Sequence, residues 1–142
     1  MIKDCQFCKL VEKEGVVSSV YEDEKVMAFL DVKPVSEGHT LVIPKTHYEN
    51  IYEIPEDEIA HLHKIVKRVA CAIKKGVNAG GISVTQHNEG AALQRILHLH
   101  VHVIPRYEGD RLTMRARHIV QKLQELSRER LDATARKIRA YI

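Results

Sequence analysis

Between Ile96 and Arg106 the chain alternates strictly, with Leu97, Leu99, Val101 and Val103 interleaved with His98, His100 and His102. A period of two is that of a half-buried β-strand, whose successive side chains point to opposite faces. The spacing predicts a strand with an aliphatic face on the core and three imidazoles on the other face, neighbours ~6.5–7 Å apart. Pro105 ends the run because it has no N–H for the ladder. Further strands are predicted at Val17–Tyr21 and Lys25–Val32, either side of the Glu22-Asp23-Glu24 turn, at His39–Pro44 after Gly38, and at Gly80–Gln86. The last is joined to the histidine strand by the His87–Gln94 turn, which predicts an antiparallel pair. Elsewhere the period lengthens. Ile59, Leu62, Ile65, Val66, Val69 and Ile73 form one face of a helix reaching about Lys75, opened by Pro55 and by acids that suit the positive end of its dipole. That helix is expected to cover one face of the sheet, with His61 and His63 on its polar flank and Cys71 as a small interior filler. Ile119, Leu123, Leu126, Leu131 and Ile138 predict another helix over Arg115–Tyr141, and a short one follows Cys8 through Lys9–Glu14, stopped at Gly15.

Composition narrows the class without changing this outline. The 142 residues, 44% of them hydrophobic, suffice for one domain with one core. No repeat, low-complexity linker or Walker-type phosphate loop interrupts them. Nothing approaches the ~18 consecutive apolar residues of a membrane span, and the N-terminus has no signal-peptide core, so a cytoplasmic protein is expected. Charge is uneven. Residues 111–142 hold nine Lys/Arg against three Asp/Glu, a net +6, while residues 1–110 carry −3. The basic segment reads as a solvated helix face or as a surface for an anionic ligand.

Three groups of residues carry candidate chemistry. Cys5-Gln-Phe-Cys8 presents two thiolates to one cation but supplies half of a tetrahedral zinc site, so the spacing leaves zinc, a redox dithiol and two core cysteines open. Asp31 closes an apolar strand, as a loop cap or as an acceptor for sugar hydroxyls. His47 reads as a loop histidine from spacing alone. In the loop before the histidine strand, Asn88, Gly90 and Gln94 lie beside the histidine face. For the histidines themselves, adjacent alternate rings can share a metal ion, but His98 and His102, ~13 Å apart on a strand, cannot. The other mechanism is covalent: a neutral imidazole attacks phosphorus while its neighbours bind phosphoryl oxygens.

His98-Leu-His100-Val-His102-Val-Ile resembles the His-x-His-x-His motif of the histidine triad (HIT) superfamily. The resemblance extends through Cys5-x-x-Cys8, Ala28-Phe-Leu-Asp31, Gly38-His-Thr-Leu-Val-Ile-Pro-Lys45, His47, Asn88-Glu-Gly90, Gln94 and Ile104-Pro-Arg-Tyr-Glu-Gly-Asp110. It implies an α+β domain over residues 1–110 with a five-stranded antiparallel sheet and a packing helix, to which 111–142 add a basic helical extension. The implied function is a nucleotide-binding hydrolase or nucleotidyl transferase, cleaving phosphoramidate or phosphoanhydride bonds of adenosine nucleotides through a nucleotidyl-histidine. The alternatives are a dinucleoside polyphosphate hydrolase and a slow or inactive nucleotide-binding regulatory protein. By motif position, His100 is the implied nucleophile flanked by His98 and His102. Asp31 with Phe29, Leu30 and Val32 is the implied nucleoside site, and Asn88, Gln94 and Arg95 approach the phosphates. Cys5, Cys8, His47 and His98 are the implied tetrad for a structural zinc, with no organic cofactor. A homodimer is implied; neither a membrane nor a nucleic-acid partner is expected. Two positions depart from the family pattern: Leu93 stands where glycine is usual, and Arg95 where a small hydroxyl residue is usual.

Overall fold

A computed structural model describes residues 2–110 and 124–142. Five strands form one antiparallel sheet in the order β1-β2-β3-β5-β4: Ser19–Glu22, Val26–Leu30, Thr40–Pro44, Val101–Arg106 (β5) and Gly81–Gln86 (β4). Among the described residues the helices are α1 (Gln6–Val11), α2 (Glu56–Gly76) and α3 (Arg128–Arg139), with a 3-10 turn at Gly90–Ala92. This is the α+β arrangement expected from the sequence, including the antiparallel pairing of β4 with β5.

The sheet is covered on both sides, and alternation decides which residue serves which side. Val26, Ala28 and Leu30 of β2, Val42 of β3, and Val101 and Val103 of β5 point into the main core. There they meet the buried stripe of α2, which runs through Leu62, Ile65, Val66, Val69 and Ile73. Met27, Phe29, Leu41 and Ile43 point the other way and pack against Phe7 of α1 in a smaller core. No side chain caps the N-terminus of α2, but Glu56, Asp57 and Glu58 fill its first turn and Lys74 and Lys75 its last, as the dipole favours. Leu131, Ala135 and Ile138 bring α3 onto the main core. It meets α2 at Gly76, where a Cβ would come within 2.9 Å of the Ile138 Cα and the Lys137 carbonyl, so only glycine permits that approach.

Three expectations are corrected. The histidine strand begins at Val101 rather than Ile96: Pro44 has no N–H to prolong the β3 ladder, and the Leu99 N–H donates instead to the Tyr48 carbonyl at 2.7 Å. His98 and His100 therefore lie on an irregular lead-in. Cys71 is exposed, since it follows Val69 by two residues and so faces the far side of α2 from the core. The described part of the final helix starts at Arg128, where the Ser127 hydroxyl accepts from the Arg130 N–H, and Leu126 lies outside it. Ile119 and Leu123 lie outside the described residues. Among those described, no helix is long and apolar enough to cross a membrane.

Candidate functional site

The register of the sheet lays out the floor of one cavity. Phe29 pairs with Leu41, Leu41 with His102, and His102 with Thr85, so four consecutive strands contribute one row on the α1 side. That row lines a cavity of about 540 Å³. Phe7 and Leu10 of α1, with Val17 and Ile96, form an apolar end; Asp31, Lys33, His87, Arg95 and His100 supply polarity. Of the residues assigned by resemblance, Phe29, Leu30, Asp31, Val32, Arg95, His100 and His102 all line it. Asn88 and Gln94 do not. The Gln94 side chain is buried and ties the loop together, accepting from the Glu89 N–H and donating to the Glu49 and Ile96 carbonyls. Asn88 accepts from the Ile51 N–H and meets Gln86. Leu93 ends the 3-10 turn in the left-handed conformation (φ 70°), which the glycine usual at this position adopts without a Cβ penalty.

The hydrogen bonds fix the protonation pattern of the triad. His100 Nδ1 lies 2.7 Å from the His98 carbonyl oxygen, which can only accept, so Nδ1 carries the proton. Burial lowers the pKa of His100, partly offset by that hydrogen bond, so the ring is neutral near pH 7 and Nε2 keeps a lone pair. His102 packs beside it with ring centroids 5.0 Å apart, closer than a regular strand would set them. His102 Nδ1 lies 2.9 Å from Nε2 of His39, and burial draws both rings down to about 3. Asp31 follows β2; its Oδ1 accepts from the Lys33 N–H, and burial raises its pKa.

His98 belongs to a different group. Its Nε2 donates to the Pro44 carbonyl at 2.8 Å, which leaves the Nδ1 lone pair facing two thiols. Nδ1 is 3.4 Å from the Cys5 sulfur and 3.7 Å from that of Cys8, and Cys8 is 3.3 Å from His47 Nδ1. A sulfur and a nitrogen bound to one tetrahedral zinc lie about 3.5 Å apart, so these four residues fit the ion by donor type and by spacing. All four ligand atoms fall within 4.8 Å of one another. The carbonyl behind His98 is the kind of outer partner that orients a metal-bound imidazole. Cys5 also caps α1, and Phe7 in its first turn meets the His98 and His100 rings edge-on at 5.8 and 5.3 Å. Holding the cysteines together thus holds the wall of the cavity.

Sequence reasoning passed over His39, His87, Lys33 and Thr85 as site residues. His39 had a signal: it precedes Leu41 by two residues and so shares the face that carries the site.

Comparison with known proteins bears on this arrangement. The HIT domain model matches residues 12–109. An uncharacterised HIT-like protein of Methanocaldococcus jannaschii is 46% identical over 106 residues, 75% of this chain and 81% of the relative. An adenylylsulfatase of Arabidopsis thaliana is 38% identical over 107 residues, 75% of this chain and 54% of its own length. Among solved structures, a Hit-like protein from Bartonella henselae superposes with a TM-score of 0.88 at 38% identity, covering 100% of this chain and 99% of that one. A zinc-bound histidine triad family protein from Mycobacterium smegmatis gives 0.83 at 32% identity, covering 97% and 92%.

Proposed function

The chain belongs to the HIT family, and from that premise we propose that it is a nucleotide hydrolase or nucleotidyl transferase that cleaves phosphoramidate or phosphoanhydride bonds of adenosine nucleotides. The observation that carries this reading is the bond from His100 Nδ1 to the His98 carbonyl, which leaves the Nε2 lone pair in the cavity at neutral pH. In the proposed reaction Nε2 attacks the α-phosphorus. A P–N bond forms, and the bond from phosphorus to the leaving group breaks with its electron pair going to the leaving atom, which takes up a proton from solvent that the later hydrolysis returns. Water then attacks the nucleotidyl-histidine, releasing AMP and restoring the neutral ring. His102 binds a phosphoryl oxygen, Asp31 accepts from the ribose hydroxyls, and the apolar end around Phe29, Leu30 and Val32 takes the base. Arg95 and Lys33 on the cavity lining suit the phosphates. Asn88 and Gln94 serve this site at one remove, by shaping the loop that carries Arg95.

Zinc held by Cys5, Cys8, His47 and His98 is structural in this reading; its contribution is folding energy, and no step of the reaction passes through it. The protein is taken to be a homodimer, a reading that suits β4, an edge strand with Val84 exposed; a mass measurement in solution checks it. The test of the reaction is incubation with adenosine 5′-phosphoramidate, with AMP followed by chromatography and acid-quenched protein examined for an adenylyl adduct. AMP release with the adduct on the His100 peptide is expected. Tight AMP binding without release from the phosphoramidate would instead favour a nucleotide-binding regulatory protein, a reading to which Leu93 and Arg95 lend weight because both depart from the family pattern. Release abolished by a chelator in protein that stays folded would place a metal at the reacting centre and overturn the covalent scheme.

A further inference from the structure

His39 is nearly fully buried, lines the cavity beside the triad, and is connected on both ring nitrogens. Its Nδ1 is 3.1 Å from the backbone N–H of Val35, which can only donate. Nδ1 is therefore an acceptor without a proton, and in the neutral ring the proton must sit on Nε2. That nitrogen is 2.9 Å from His102 Nδ1, so His39 donates and His102 accepts. With Nδ1 of His102 occupied in this way, its own proton must lie on Nε2, the nitrogen left to the cavity. The direction of the whole chain is set by one amide.

We propose that His39 is a positioning residue whose tautomer, fixed by the Val35 backbone N–H, locks His102 as an Nε2–H donor toward the nucleotide's phosphoryl oxygens. The assignment rests on the nucleotidyl-transfer reading for its consequence, but not for its geometry. Without the lock, His102 could carry its proton on Nδ1 and turn a lone pair toward an anionic oxygen, which is repulsive. The same bonds argue against a metal ion among Asp31, His39 and His102, whose donor atoms also lie close together. An ion on His39 Nε2 would require a proton on Nδ1, directed at the Val35 N–H. Asp31 Oδ2, 3.8 Å from His39 Nε2, is beyond hydrogen-bond range and stays available to the ribose.

The test uses full-length protein labelled with ¹⁵N histidine and long-range ¹H–¹⁵N correlation spectra, which distinguish the two neutral tautomers directly. Wild type is expected to show His102 as the Nε2–H form alone. In His39→Gln, whose amide N–H takes the place of the imidazole Nε2–H, that form should persist and kcat stay within about threefold of wild type. In His39→Leu, His102 should become a mixture of tautomers and kcat fall by about 100-fold, the loss typical of one misplaced donor to a developing charge, with KM little changed. An Nδ1–H tautomer of His102 in wild type, or a pure Nε2–H form in His39→Leu, overturns the proposal. The wild-type spectrum needs no variant to fold and no turnover, so it decides the lock separately from the reaction.

Discussion

Two groups of histidines lie on the same side of one sheet and meet on the segment from His98 to His102, yet are built for opposite uses. His98 and His47 aim Nδ1 lone pairs at Cys5 and Cys8, whereas His39, His100 and His102 have their Nδ1 atoms engaged by a backbone amide, a backbone carbonyl and a neighbouring ring. Residue type and burial do not separate the groups. The partner of the second nitrogen does: the Pro44 carbonyl behind His98 frees Nδ1, while the His98 carbonyl behind His100 frees Nε2. A backbone oxygen placed against one nitrogen or the other decides whether the remaining lone pair faces a thiol cluster or the cavity.

The contrast can be tested from both sides. His100→Ala removes the proposed nucleophile and should lower kcat for AMP release by a factor on the order of 10³ or more, with the melting temperature nearly unchanged. Cys8→Ser should do the reverse. Structural zinc binding is worth on the order of 10 kcal/mol in small domains that depend on it. The variant should therefore lose much of its thermal stability, and any folded fraction should keep turnover per active site, read by calorimetry together with adduct titration. A Cys8→Ser protein of normal stability but no activity would erase the distinction between the groups. Acid is the third lever. His39 and His102 sit at about 3 in the folded chain, against an ordinary value near 6.5, so between those limits the unfolded chain binds protons that the folded chain refuses. The contribution of these two rings to stability is therefore full above about pH 6.5 and declines as pH falls toward 3. His39→Gln removes one of these rings and should move the acid-unfolding midpoint, followed by circular dichroism, to lower pH. The smallest change is at the rim. Arg95→Ser, which restores the residue type usual in the family, should raise KM by about fivefold, as expected for a partly solvated charge-assisted contact, and weaken the salt dependence of binding.

Much of this was legible from periodicity. Alternation located β5, continuous apolar runs located β2 and β3, which are buried on both faces, and helical spacing located α2 because its stripe is continuous. The sequence was silent where a partner outside the element decides the outcome. Nothing in His-x-His-x-His says that the first two residues of the motif leave the ladder, since that follows from Pro44 and Tyr48 on other elements. The Cys/His cluster that could hold a metal was legible only by resemblance, because spacing gives Cys5 and Cys8 and leaves His47 and His98 far along the chain. Gln94 was placed at the phosphates, yet its amide is occupied by loop carbonyls, a use that no local pattern announces. Three of the described arginines in the basic tail bond back onto the domain: Arg128 donates to Ser18 and the Val16 carbonyl, Arg139 to the Ser19 carbonyl, and Arg130 to Glu37.

That last ion pair reaches the loop that carries Val35. Glu37 accepts from Arg130 and from Thr134 of α3, and the Leu126 N–H donates to the Val32 carbonyl. On the ribosome the loop is made early and its fasteners nearly a hundred residues later. All five strands are synthesised before the residues that give the Val35 loop its outer support. Timing of assembly is thus written into which end of the polypeptide grips the loop.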